Sequence, residues 1–360
     1  MVLASCGARA SLLDAPFGPD EGTGTGASES MAGSPSGSES ASPSAAEPPS
    51  CVVKTAGTDD CNGESCCASL EVPGGTYFRG YVNHGTGPIE ETDPAVVSGF
   101  RLDKYLVTVG RFRQYVNYLT KAGGTPPSDG SGKHVHLNGG NGLVNSGTTG
   151  GYETGWNAAW NTNLVTGSGT AGTWNDNLGT CAAYSSWTPS ASSHETLPVD
   201  CVTWYEAYAF CIWDGGFLPS EAEAEYAGAG GDEQRQYPWG STDPGTANQY
   251  AIYGCYYPNN TEEGLCAGSS NLAPVGTAKA GVGRWGQLDL AGEVAYWNLD
   301  VLAAKYLDPC VDCARLDYPM ARTLRGGGFT LSASTQYPWL RGADSMSDRG
   351  LNGIRCAWTP

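Results

Sequence analysis

Apolar residues recur at helical spacing in only a few stretches of this chain. After Thr108, Phe112, Tyr115, Val116 and Leu119 fall three and four apart, and Gly123-Gly124 follows. That pattern predicts a Thr-capped helix that stops at the glycines. Thr203-Trp-Tyr-Glu206 is a capping box, in which hydroxyl and carboxylate each cap a backbone N–H of the other. It opens a predicted helix with Ala207, Tyr208, Cys211 and Ile212 on one face and Gly215 as its stop. A second box, Ser220-Glu-Ala-Glu223, predicts a short helix ending near Tyr226 or Ala227. Elsewhere the apolar runs are short and bounded by Gly, Asn and Pro, which reads as short strands and turns.

Residues 124–198 show no such period and are rich in Gly, Asn, Thr and Ser. A loop of that length is either disordered or functional. Trp156, Trp160, Trp174 and Trp187 within it favour a folded insertion. Trp156, Trp160 and Trp174 are the candidate ligand-binding side chains, able to stack on a sugar ring or a peptide. The plainer reading is that they pin the insertion to the domain. His134-Val-His136 sets two imidazoles at strand spacing, but without a third ligand they read as surface histidines rather than a metal site.

Composition supports a loop-rich but anchored domain, with 52 glycines and 11 tryptophans in 360 residues. The formal net charge of −18 argues against a nucleic-acid partner and makes divalent cations the natural counterpart. Thirteen cysteines in such sequence imply an oxidising compartment and disulfides. Cys310-Val-Asp-Cys313 alone has zinc-knuckle spacing, and no second pair lies near it. Leu3-Ala4-Ser5-Cys6 resembles a bacterial lipobox, so Cys6 is the expected lipidation site within residues 1–17, the true start lying upstream. Twelve thiols then remain to pair. Residues 18–50, nearly all Gly, Ser, Ala, Pro, Thr and Glu, read as a disordered tether. No run of about 18 apolar residues spans a bilayer. The expectation is a secreted protein held at the cell envelope or surface by its lipid. Cys51, Cys61, Cys66 and Cys67 should form a disulfide knot over residues 51–70, with Cys66 and Cys67 reaching Cys51 and Cys61 in either order.

Nine segments then occur in a recognisable order. They are Val72-Pro-Gly-Gly-Thr76, Phe100 to Thr108, Leu197 to Ala207, Gly216 to Glu223, and Tyr237-Pro-Trp-Gly240. Ala273-Pro-Val-Gly276, Leu288-Asp-Leu-Ala-Gly292, Leu324-Arg-Gly-Gly327 and Gly353-Ile-Arg-Cys356 complete the set. In this register the chain from Val72 to Trp358 resembles the formylglycine-generating enzyme (sulfatase-modifying factor) family. The resemblance implies an α+β fold similar in topology to C-type lectin domains, over residues 71–360 with the 124–198 insertion. It also implies a Cys211–Cys356 disulfide. Proximity along the chain then suggests Cys181 with Cys201, Cys255 with Cys266 and Cys310 with Cys313.

Active members of that family hold copper(I) with two cysteines shortly after the Arg-Gly-Gly turn, a ligand type that suits a soft metal. The matching positions here are Leu331 and Gln336, and no cysteine lies between Cys313 and Cys356. Gly328 and Ala295 replace a Ser and a Trp of the same site. No catalytic residue is therefore assigned, and copper is not expected. Calcium is. The resemblance places one site at Asp289, Gly292 and Val294, with Tyr296 where a Glu is usual and Glu293 close by, and a second at Asn248 and Gln249. The alternative is that these residues are kept only to shape turns. The resulting expectation is a pseudoenzyme that binds a glycan or peptide. The competing one is an oxidoreductase of the same family acting by a changed mechanism.

Overall fold

The computed structural model describes residues 47–82, 91–259, 264–317 and 321–360. Cys6, the lipobox and the tether up to residue 46 lie outside the described residues. The described residues form one compact unit.

All three predicted helices are present. Helix α1 (Val109–Thr120) opens where Thr108 Oγ1 accepts the Arg111 amide at 3.1 Å. A helix not foreseen, α2 (Ala171–Leu178), lies in the insertion, where only Trp174 and Leu178 give it a buried face. In α3 (Trp204–Trp213) the reciprocal box is complete, Thr203 Oγ1 accepting from Glu206 and Glu206 Oε2 from Thr203. Helix α4 (Glu221–Ala229) carries the second box and runs two residues beyond Ala227. The small, buried residues Ala227–Ala229 fit the core, and the helix stops only at Gly230, which takes the left-handed backbone at φ 68°.

The strands are short, as expected. In chain order they are β1 (Ser69–Val72), β2 (Gly75–Phe78), β3 (Pro94–Val97), β4 (Phe100–Asp103), β5 (Val144–Asn145) and β6 (Ala295–Val301). Then come β7 (Cys310–Val311), β8 (Cys313–Ala314), β9 (Arg322–Arg325), β10 (Gly342–Asp344), β11 (Asn352–Gly353) and β12 (Ala357–Trp358). They form sheets ordered β1-β4-β12, β10-β9-β6-β11, β2-β3-β7 and β5-β8. The fold is α+β.

The main core lies where α1 and α3 meet, with Phe112 and Tyr115 against Phe210 at centroid distances of 5.7 and 5.8 Å. The insertion closes over it. Trp174 packs edge-on to Phe112 at 5.9 Å, and Trp156 lies 5.6 Å from Tyr208. A buried aromatic side chain removes about 150–250 Å² from water, a gross gain of roughly 4–6 kcal/mol. That burial is why a glycine-rich excursion is folded.

Every cysteine from Cys51 onward is paired. The knot resolves as Cys51–Cys67 and Cys61–Cys66. The other four are Cys181–Cys201, Cys211–Cys356, Cys255–Cys266 and Cys310–Cys313, as expected. Cys211–Cys356 joins α3 to the end of the chain across 145 residues, worth about 4–5 kcal/mol in the chain-entropy model. The folded part begins before Cys51. Ser50 is buried, its amide donating to Asp214 Oδ1 at 2.8 Å.

Candidate functional site

Strand β9 ends in Leu324-Arg325 and the chain then reverses through Gly326 and Gly327, both with positive φ. A Cβ on Gly327 would lie 2.7 Å from both the Gln336 side chain and the Thr335 carbonyl. The turn therefore needs glycine, and it packs directly on the segment that carries Gln336. Gln336 is buried there, its Nε2 donating to Thr335 Oγ1 at 2.9 Å and to the Ser332 carbonyl at 3.2 Å. Leu331 points the other way and is 45% exposed. Together with Ala295, Leu324, Thr335 and Leu340 it lines a cleft of about 270 Å³. Most of that wall is apolar. It offers no thiol and no imidazole.

A band of aromatic rings continues from the same segment. Tyr337 stacks on Trp339 at 4.3 Å and touches Tyr237 at 5.0 Å. Tyr237 stacks on Trp239 at 4.9 Å with the planes 4° apart, and Trp239 reaches Tyr250 at 5.5 Å. Tyr237 is buried, and the other four rings are half-exposed. Tyr237-Pro-Trp-Gly240 is a tight turn closed by mutual Tyr237 and Gly240 amide-to-carbonyl bonds. The motif reading did not single out this band as a binding surface. A signal existed, however: the tetrapeptide Gln-Tyr-Pro-Trp occurs at 236–239 and again at 336–339. The fold brings the two copies together.

A pair of buried carboxylates lies behind the turn. Asp289 Oδ2 accepts the Gly276 amide at 2.7 Å and Glu293 Oε2 the Ala273 amide at 3.2 Å. Asp289 Oδ1 and Glu293 Oε1 have no hydrogen-bond partner. Burial pushes the Asp289 carboxyl up to about 6, against the pull of Arg355. Burial, and then the Asp289 charge, push Glu293 well above the usual carboxylate range. Two buried acids with orphaned oxygens either hold protons or bind a cation.

Residues 55–360 match the family described as the sulfatase-modifying factor enzyme 1-like domain. The chain belongs to that family. It is 36% identical over 169 residues to a formylglycine-generating enzyme of Streptomyces coelicolor, covering 44% of this chain and 52% of that protein. It is 30% identical over 176 residues to a hercynine oxygenase of Mycolicibacterium smegmatis, covering 45% and 37%. The chain thus spans about half or less of the length of these curated relatives. Among solved structures, PvdO from Pseudomonas aeruginosa superposes with a TM-score of 0.51 at 18% identity, covering 86% of this chain and all of that one. That likeness concerns the fold.

Within this sulfatase-modifying factor domain, Leu331, Gln336, Gly328 and Ala295 surround one turn. Leu331, Gly327 and Ala295 line the cleft while Gln336 braces it from below. The calcium candidates are split. Gly292 has positive φ and its amide donates to the Gly326 carbonyl at 2.7 Å, which ties the carboxylate pair to the turn. Val294 is buried. Tyr296 is also buried, 5.4 Å beneath the Arg355 guanidinium. Asn248 is half-buried, and exposed Gln249 already accepts the Ala280 amide through its carbonyl at 2.9 Å. Among the described residues no group of three or more His, Cys, Asp or Glu side chains is placed to hold a metal.

Two expectations need correcting. Trp156 and Trp174 are not a contact surface, being 1% and 0% exposed. Their indole N–H groups are committed to Asn161 and to the Val165 carbonyl. Trp160 is half-buried, edge-on to Trp204 at 5.3 Å. With Leu137, Leu143, Leu164 and Leu178, these tryptophans form the insertion's own core. His134 is not a surface residue either. It is fully buried, with Nδ1 3.0 Å from Glu153 Oε2 and Nε2 3.0 Å from Glu223 Oε2. Burial alone would lower its pKa, but Glu223 and Glu153 outweigh that and raise it to about 10. Neither carboxylate is near His134 in sequence, so spacing gave no hint. His136 is half-buried and stacks on Phe217 at 5.7 Å.

Proposed function

We propose that this chain is a non-catalytic member of its family that binds a glycan across the cleft and the adjoining aromatic band. The observation that carries this reading is the meeting of the two Gln-Tyr-Pro-Trp segments beside a cleft without a thiol. Flat aromatic faces bury the apolar faces of sugar rings. The family's Cys-directed oxidation needs thiolates for copper(I), and Leu331 and Gln336 supply an apolar side chain and an amide. Calcium, if held, is taken by the orphaned oxygens of Asp289 and Glu293, Glu293 supplying the carboxylate that Tyr296 removes. That site lies under the binding turn, so the ion would stiffen it. The protein is held at the bacterial cell surface by a lipid on Cys6, a reading supported by Leu3-Ala4-Ser5-Cys6 and by six disulfides of an exported domain.

A glycan array probed with the purified protein, with a peptide array beside it, tests the reading. Glycan hits that weaken at least tenfold in Trp239→Ala and Trp339→Ala are expected. Peptide hits alone, or glycan binding indifferent to both substitutions, would replace it.

A further inference from the structure

Four of the buried arginines differ in how their charge is met. Arg111 faces Asp103 and Asp214, and Arg325 faces Glu221 and Glu225. Arg355 donates to four backbone carbonyls. Arg322, at the start of β9, is 5% exposed and makes one hydrogen bond, from Nη1 to the Leu299 carbonyl at 2.7 Å. It has no ion pair among the described residues, and its Nε has no partner. A guanidinium this deep with its Nε–H unmet is energetically poor unless something else meets it.

Arg322 lines a cavity of about 100 Å³ between the insertion and the domain. Its guanidinium lies 4.3 Å over the Trp204 ring. Stacking on an aromatic face leaves the N–H edges, which lie in the guanidinium plane, directed sideways. Trp160 and Tyr208 add two more aromatic walls. The other polar groups there are already committed. Trp204 Nε1 donates to the Asn298 carbonyl and the Tyr208 hydroxyl to the Gly132 carbonyl. The Glu153 carboxylate is held by His134 through its backbone amide and Nδ1. Burial lowers the Arg322 pKa only to about 10, partly offset by Asp300, so the charge persists at neutral pH.

We infer that this cavity binds a small organic carboxylate with a flat, apolar body, its two oxygens taking the Nε and Nη2 edge of Arg322 and its plane lying among Trp160, Trp204 and Tyr208. Arg and a carboxylate match as a planar fork, and the aromatic walls select a flat ligand over an aliphatic one. The site is separate from the cleft around Leu331 and depends on the insertion for Trp160 and Glu153.

Benzoate is the probe, with benzamide as its uncharged counterpart, both titrated into the full chain by calorimetry at pH 7. Benzoate should bind and benzamide should bind at least roughly tenfold more weakly, the ratio expected when a charge-assisted hydrogen bond is lost. Arg322→Met should abolish the difference. Trp160→Ala, at a half-exposed position whose loss leaves the charge intact, should weaken benzoate severalfold and serves if the first variant does not fold. Equal affinity for benzoate and benzamide, no binding of either, or benzoate binding unchanged in a folded variant of either kind would overturn the assignment.

Discussion

Arg111 on α1 and Asp214 at the end of α3 form an ion pair of 2.7 Å with neither side chain exposed. The other guanidinium nitrogen meets buried Asp103 at 2.9 Å, and Ser50 bridges Nε to Asp214. One arginine thereby joins both main helices, β4 and the knot. Replacing it by Met leaves two carboxylates buried without a counter-charge. Urea unfolding of Arg111→Met should show a loss of about 3–5 kcal/mol. A loss below about 1 kcal/mol, in the range of an exposed pair, would contradict the burial described.

The His134 bridge between Glu153 and Glu223 predicts a stability that depends on alkaline pH. The folded-state pKa, about 10, lies above the ordinary histidine value of 6.5. Its contribution is therefore complete below about 6.5 and is lost as pH rises through about 10. The melting temperature should fall between pH 7 and pH 10, and His134→Gln should flatten that slope while lowering stability by several kcal/mol. An equal slope in the variant would show that another group titrates there.

Asp289 and Glu293 make the opposite kind of test. Both carboxyls are raised in the folded state, so without a cation their contribution is present near pH 4 and lost as pH rises through about 6 and beyond. Calcium at millimolar concentration should raise the melting temperature at pH 7 and reduce that pH dependence. Asp289→Asn with Glu293→Gln should be indifferent to calcium. A melting curve of the unmodified protein that ignores calcium at pH 7 removes the metal from the proposal.

Supplied with copper(I), oxygen and a sulfatase-type peptide containing its cysteine, the protein should leave the peptide mass unchanged. Leu331 and Gln336 cannot hold the metal, and each of the twelve cysteines from Cys51 onward is in a disulfide. Aldehyde formation well above a no-protein control, read by mass spectrometry, would reverse the non-catalytic reading.

The parts legible in the sequence are those that rest on local rules. Thr203 with Glu206 and Ser220 with Glu223 announce their helices because a capping box is complete within four residues. Four of the six disulfides followed from resemblance and spacing, whereas the order within the knot, Cys51–Cys67 and Cys61–Cys66, did not. What stayed hidden depends on contacts between distant segments. His134 meets Glu223 across 89 residues, and nothing near either one marks the pair. Trp156 and Trp174 could be read either as a contact surface or as pins for the insertion, and only their burial against distant residues decides for the pins. The Tyr237 and Tyr337 contact was written as a repeated tetrapeptide, but only folding shows that the two copies touch.

That contact has a consequence for oxidative folding. The two Gln-Tyr-Pro-Trp copies stand a hundred residues apart, and four of the paired cysteines, Cys255, Cys266, Cys310 and Cys313, lie between them. A molecule with scrambled bridges in that interval cannot bring the copies into register. The Tyr237 and Tyr337 contact is therefore a reporter of correct oxidation, formed only when all four of those thiols have found their own partners.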